Sequence, residues 1–190
     1  MIPHILGDCL SIPEWIEYIR SYSFGPIRPD RIVLHHTWRP TVEQWRGSRT
    51  LRAIQRYYGG KGWTAGPHLF CAPDGIWLFT PMNRVGIHAG AGNGSLSRGW
   101  YSIGVEMVGD YDHQRPSGRV LDHTCAVLIG LEQKLSLQLD SKLYFHRDFS
   151  PKTCPGRAVT RSWVLSSVEQ WRHLRWTDLT TRPSSGREGG

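Results

Sequence analysis

The chain has 190 residues, 39% hydrophobic and 21% charged, the composition of a soluble globular protein long enough for one domain with a sizeable core. A formal charge of +7 favours anionic polymers in general. The basic residues are scattered, however, without helix-turn-helix or zinc-finger spacing, so specific nucleic-acid binding is not expected. No window reaches the ~18 continuous apolar residues of a membrane-spanning helix.

Met1–Leu10 contains Pro3, His4 and Asp8 and has neither the basic start nor the apolar run of a secretory leader. Synthesis in a reducing cytoplasm is expected, with no disulfide among Cys9, Cys71, Cys125 and Cys154, which form no CxxC pair. Ser11-Ile-Pro-Glu14 is a capping box with proline in the first turn. Ile12, Trp15, Ile16 and Ile19 follow at helical spacing and predict a helix that ends near Tyr22–Gly25. Arg31–Leu34 is a short buried strand stopping at His35-His36-Thr37. A second helix is predicted from about Ser48 to Tyr58, closed by Gly59-Gly60. His68–Cys71 and Ile76–Thr80 read as strands joined by a hairpin turn, Ala-Pro-Asp-Gly. After Ile87-His88 comes a loop of small residues, Ala89–Gly99, then an apolar strand, Tyr101–Val108, that contains one acid, Glu106. A polar loop, Asp110–Gly118, precedes an amphipathic helix over Val120–Leu137 and a strand over Lys142–Phe145. His146–Gly156 is a loop and Thr160–Trp171 the last helix. From Thr177 onward the composition predicts a disordered tail. Strands and helices are mixed, so the predicted class is α/β with one central sheet. Nine tryptophans are an excess for this length and hint at a groove for sugar or peptide.

The residues with chemistry sit at strand ends and in the loops after them. Imidazole and thiolate are preferred zinc ligands, and three protein ligands with an open fourth position make a catalytic centre. One histidine of the pair His35/His36, together with His146 and Cys154, supplies such a set. A carboxylate inside an apolar strand costs free energy unless it is paired or functional, which marks Glu106 as a candidate acid–base group.

Six segments then occur in a fixed order. They are Val33-Leu-His-His-Thr37, Gly62 to Phe70, Pro73-Asp-Gly75, Ile87-His-Ala-Gly90, Ser102-Ile-Gly-Val-Glu106, and His146 with Lys152-Thr-Cys-Pro155. Together they resemble the zinc N-acetylmuramoyl-L-alanine amidases, a family that includes phage lysozyme-type amidases and peptidoglycan recognition proteins. The resemblance spans roughly Arg31 to Trp171. It implies a single domain with a mixed central sheet flanked by helices, and a zinc ion at the floor of a groove for bacterial peptidoglycan. It implies His35, His146 and Cys154 as metal ligands, Glu106 as the acid that activates water, and Lys152 as a stabiliser of the tetrahedral intermediate. His36, His68 and His88 are secondary candidates for contact with substrate, the plain alternative being structural histidines bonded to backbone. One departure is clear: the family's catalytic tyrosine, just before His68, is replaced by Pro67, which moves proton transfer onto Glu106. The implied organisation is an N-terminal helical extension (1–30), a zinc amidase domain (31–176) and a tail (177–190). The implied reaction is zinc-dependent hydrolysis of the amide between the lactyl group of N-acetylmuramic acid and L-alanine, by a monomeric phage lysis enzyme released onto the cell wall. A non-catalytic recognition module of the same fold and a cytoplasmic muropeptide-recycling amidase are the alternatives.

Overall fold

In the computed structural model, residues 1–176 and Leu179 are described; apart from Leu179, the predicted tail lies outside the described residues. The chain starts with a two-residue strand, β1 (Cys9–Leu10), and a helix, α1 (Ile12–Ser21). The capping box forms as predicted: the Ser11 N–H donates to Glu14 Oε2 at 2.7 Å, and Ser11 Oγ accepts from the Glu14 N–H at 3.5 Å. Strand β2 spans Arg31–His36. It ends on the two histidines, where its parallel pairing with β6 (Trp100–Met107) reaches the register pair His36 and Met107. Helix α2 (Ser48–Gly60) leads to the predicted hairpin, β3 (Leu69–Ala72) and β4 (Gly75–Leu78). The hairpin closes at Leu78 because the Phe79 N–H turns to the carbonyl of His68 and Thr80 Oγ1 bonds to Gly66. Later elements are β5 (Gly94–Ser95), α3 (Gly118–Leu135), α4 (Leu139–Lys142), β7 (Leu143–Phe145) and α5 (Arg161–Trp171).

The sheet order is β1-β4-β3-β6-β2-β7, with β5 paired to β6. The four central and right-hand strands, β3, β6, β2 and β7, are parallel, and β4 and β1 complete one edge antiparallel. Alternation along the strands divides the apolar residues between two faces. Ile32, Leu34, Leu69, Cys71, Ile103 and Val105 face the larger core, beneath α3, with α1 and α5 packed on α3. Phe70 and Ala72 face a smaller core with Trp45, Leu51, Trp77, Phe79 and Val108, on the side of α2. The domain is therefore a mixed sheet flanked by helices, the class the sequence predicts.

The segment before Arg31 contributes to that larger core. Trp15 is fully buried and its indole N–H donates to the Ala126 carbonyl at 3.0 Å. Gly130 of α3 makes room for it, since a Cβ there would stand 2.7 Å from Trp15 Nε1. All four cysteines are free thiols, and no described helix is long and apolar enough to cross a membrane.

Candidate active site

Parallel strands end on the same side of a sheet, and in such sheets the carboxyl ends are where ligands bind. Here His35 is the penultimate residue of β2, Glu106 the penultimate residue of β6, and His146 follows β7 directly. Glu106 is in register with His35 on one side and Phe70 on the other, so all three side chains share the face turned toward α2. Cys154 comes from the loop after β7. Its position is fixed by Arg147, whose guanidinium donates to the carbonyls of Thr153, Gly156 and Val159 at 3.2, 2.8 and 2.6 Å. The Arg147 N–H also donates to the Cys154 carbonyl at 2.9 Å. Asp112 accepts from Thr153 Oγ1 at 3.1 Å and from the Arg157 N–H at 3.0 Å, tying down the same loop. Sequence reasoning did not single out Arg147; its only local signal was its place inside the His146–Cys154 loop.

The three proposed ligands meet, although His35 lies more than a hundred residues before the other two in sequence. His35 Nδ1 lies 3.1 Å from His146 Nδ1 and 3.7 Å from Cys154 Sγ, and the three donor atoms all fall within 4.8 Å of one another. Glu106 Oε1 is 3.9 Å from His35 Nδ1. Its Oε2 is buried with no hydrogen-bond partner. Lys152 lines the same groove, and its charge acts on His35, Glu106, His146 and Cys154.

Burial dominates the electrostatics. It pushes His35 well below its usual range, aided by the neighbouring histidines, and His146 down to about 4. It lifts Glu106 from 4.5 to about 8, with Lys152 opposing, and lifts the Cys154 thiol well above its ordinary range, with Glu106 adding to the effect. Every group is thus held uncharged. Neutral imidazole is already the ligand form, whereas thiol and carboxyl would be ionised by a cation placed among them.

Around this centre lies an open groove of about 540 Å³. Trp38, Tyr57, Tyr58, Lys61 and Trp63 rim it, and His36 and His88 also line it. Sequence reasoning named none of these aromatic residues individually. The paired tyrosines at the end of α2 were the available signal. His36 is 7% exposed, and its Nδ1 accepts from the Tyr111 N–H at 3.1 Å. Of the two readings open for His68, the structure shows the structural one. His68 is fully buried away from the groove, with Nδ1 accepting from the Gly104 N–H and Nε2 donating to the Arg84 carbonyl, both at 2.9 Å. Both nitrogens are therefore engaged with backbone. Pro67 is buried beside it and offers no phenol.

Outside the groove, α2 carries Arg49, Arg52 and Arg56 at a spacing that puts them along one side of the helix, all three exposed. These three of the chain's 23 basic residues give the helix that carries Tyr57 and Tyr58 a cationic side.

The family profile for N-acetylmuramoyl-L-alanine amidases matches residues 25–157. The chain belongs to this amidase family. No curated protein matches it in sequence, but solved structures share its fold. The N-acetylmuramoyl-L-alanine amidase LysC from Clostridium intestinale is 21% identical over 77% of this chain and 89% of its own, with a TM-score of 0.62. The endolysine LysCS from the same organism is 20% identical over 88% and 93%, with a TM-score of 0.60. A variant of Drosophila PGRP-LB in complex with tracheal cytotoxin is 22% identical over 70% and 78%, with a TM-score of 0.57.

For an amidase of this family the donor set fits zinc. Tetrahedral bonds of about 2.0–2.1 Å to nitrogen and 2.3 Å to sulfur separate two nitrogens by roughly 3.3 Å and nitrogen from sulfur by roughly 3.6 Å. The distances of 3.1 and 3.7 Å between His35 Nδ1 and its two neighbours lie close to those edges. Three protein donors leave one corner open, the arrangement of a catalytic rather than a structural site. The partnerless Glu106 oxygen stands beside it.

Proposed function

We propose that this amidase hydrolyses the bond between the lactyl carbonyl of N-acetylmuramic acid and the L-alanine nitrogen of the stem peptide, using zinc held by His35, His146 and Cys154. The observation that carries the proposal is the convergence of one ring nitrogen from each histidine and the Cys154 Sγ within 4.8 Å, beside a buried carboxyl oxygen with no partner. Bound there, zinc supplies Lewis acidity and draws the pKa of a water toward ~7.

Glu106 takes the proton of the attacking water and returns it to the departing L-alanine nitrogen. A cation beside it would keep the carboxyl ionised and ready to accept that proton, and its burial favours holding the proton between the two events. Lys152 sets its ammonium group against the developing oxyanion. With Pro67 in place of a phenol, Glu106 carries the proton transfer alone. The aromatic rim of Trp38, Tyr57 and Trp63 offers flat apolar faces to the sugar and the peptide, and the binding of tracheal cytotoxin by a protein of the same fold agrees with a peptidoglycan ligand. Retention of Cys154 next to both histidines favours cleavage over recognition alone. Likeness to an endolysine amidase supports a phage lysis enzyme that is made in the host cytoplasm and acts on the wall after release.

The test is metal analysis coupled to mass-spectrometric mapping of the products from purified peptidoglycan. One zinc per chain, free N-termini on L-alanine and loss of both cleavage and metal on chelation are expected. Cleavage that survives complete removal of metal would overturn the zinc assignment, and products cut at a different bond would overturn the reaction. Intact sacculi set against soluble muropeptides separate wall lysis from recycling; a lysis enzyme prefers the sacculi.

A further inference from the structure

The small-residue loop after His88 and the first half of β6 form a chain of hydrogen bonds that reaches the metal centre from behind. Ser102 Oγ donates to the Gly92 carbonyl at 2.7 Å. Its single proton is thereby committed, so at the 3.3 Å contact with His88 Nε2 the serine oxygen accepts and the imidazole donates. His88 is buried where a cationic ring would be costly. A neutral imidazole that donates from Nε2 has a bare Nδ1. That Nδ1 lies 3.0 Å from His35 Nε2, so His35 must carry its proton on Nε2. The remaining nitrogen, His35 Nδ1, is then an open lone pair aimed at His146 and Cys154.

The plane of the His88 ring is held in place by close neighbours. A Cβ on Gly104 would stand 2.7 Å from its Cγ, and a Cβ on Gly86 would stand 2.9 Å from its Cδ2, so two glycines make a slot for it. Asn93 Oδ1 accepts from the backbone N–H groups of His88 and Ala89 at 3.0 and 2.7 Å, anchoring the residue that bears the ring.

We propose that His88 is a positioning residue: the relay Gly92 carbonyl, Ser102, His88 fixes His35 in the one tautomer that presents Nδ1 to a metal. This rests on the zinc reading above. Metal-ligating histidines ordinarily donate their second N–H to a carboxylate, carbonyl or water; here a second imidazole fills that place, and its own direction is set by a serine whose proton is already spent.

Two measurements test it. In the metal-stripped, histidine-15N-labelled protein, long-range 1H–15N spectra should show His35 and His88 both protonated at Nε2; His35 protonated at Nδ1 would overturn the proposal without reference to any metal. Zinc affinity by competition with a chromophoric chelator should fall 10- to 100-fold in His88→Phe, which keeps a ring but accepts no hydrogen bond. His88→Gln, whose amide can accept from His35 and donate to Ser102, should recover most of that loss. Equal affinity in wild type and His88→Phe, or a His88→Gln as weak as the Phe variant, sinks the relay while leaving the metal centre standing. A wild type that binds no stoichiometric zinc removes the zinc reading instead, and the tautomer spectra still decide the relay.

Discussion

Replacing Glu106 with glutamine should stabilise the metal-stripped protein, by an amount that grows with pH. Burial raises this carboxyl from its ordinary 4.5 to about 8. The folded chain therefore keeps the proton at pH 7, whereas the unfolded chain releases it above about 4.5. Between those values the folded state binds more protons than the unfolded state, so stability falls as pH rises through the window and levels off above pH 8. The slope is about 1.4 kcal/mol per pH unit, which accumulates to roughly 3 kcal/mol at pH 7. Glutamine is neutral in both states and escapes that cost. Urea unfolding of wild type and Glu106→Gln in the presence of chelator, at unit steps from pH 5 to pH 8, reads the difference directly. A gap of less than 1 kcal/mol at pH 5 should widen to roughly 3 kcal/mol at pH 7. A gap that does not change with pH, or a glutamine variant less stable than wild type at pH 8, would refute a buried, protonated Glu106. Zinc should reverse the preference, because a divalent cation favours the carboxylate; its stabilising effect is expected to be larger for wild type than for the variant.

Lys152→Ala should lower kcat about 10²- to 10³-fold, with zinc content unchanged. Turnover within twofold of wild type would remove the lysine from oxyanion stabilisation. Trp15→Ala should cost about 3–5 kcal/mol in urea unfolding, as for other buried tryptophans. A loss below about 1 kcal/mol would make α1 an appendage rather than part of the core. Exchanging Arg49, Arg52 and Arg56 together for glutamine should weaken hydrolysis of intact sacculi several-fold at low ionic strength and flatten its salt dependence. An unchanged salt profile would show that the cationic face of α2 does not meet the wall.

Local signals in the sequence account for most of the elements. The Ser11–Glu14 capping box, the Pro73-Asp74 hairpin turn and the apolar run of β6 are short-range patterns, and each forms as read. Strands β1 and β5 escaped because two residues cannot display an alternating pattern; they are strands only by virtue of partners in β4 and β6. The register that sets His35 beside Glu106 joins segments about seventy residues apart and leaves no trace in either one. His35, His146 and Cys154 were legible through the order of family motifs, not through their spacing. His68 shows the limit of that route. It sits in a motif, yet both its nitrogens bond to backbone atoms contributed by Gly104 and Arg84, partners that sequence does not reveal. Arg147 was passed over for the same reason, since its acceptors are three carbonyls and carbonyls carry no residue identity.

The two faces of the sheet differ in how firmly they hold what rests on them. On the α3 side a large core locks the strands, and with them the residues that would grip a metal. On the other side α2 rests on a small cluster and has only Leu51 among its own residues fully buried. Few buried apolar contacts mean a low local opening energy, so this wall of the groove can shift or be re-sequenced at little cost to the whole. Thr50, Ala53, Ile54 and Tyr57 of this helix line a second cavity next to the groove, a wall that can change while the strands behind it stay fixed.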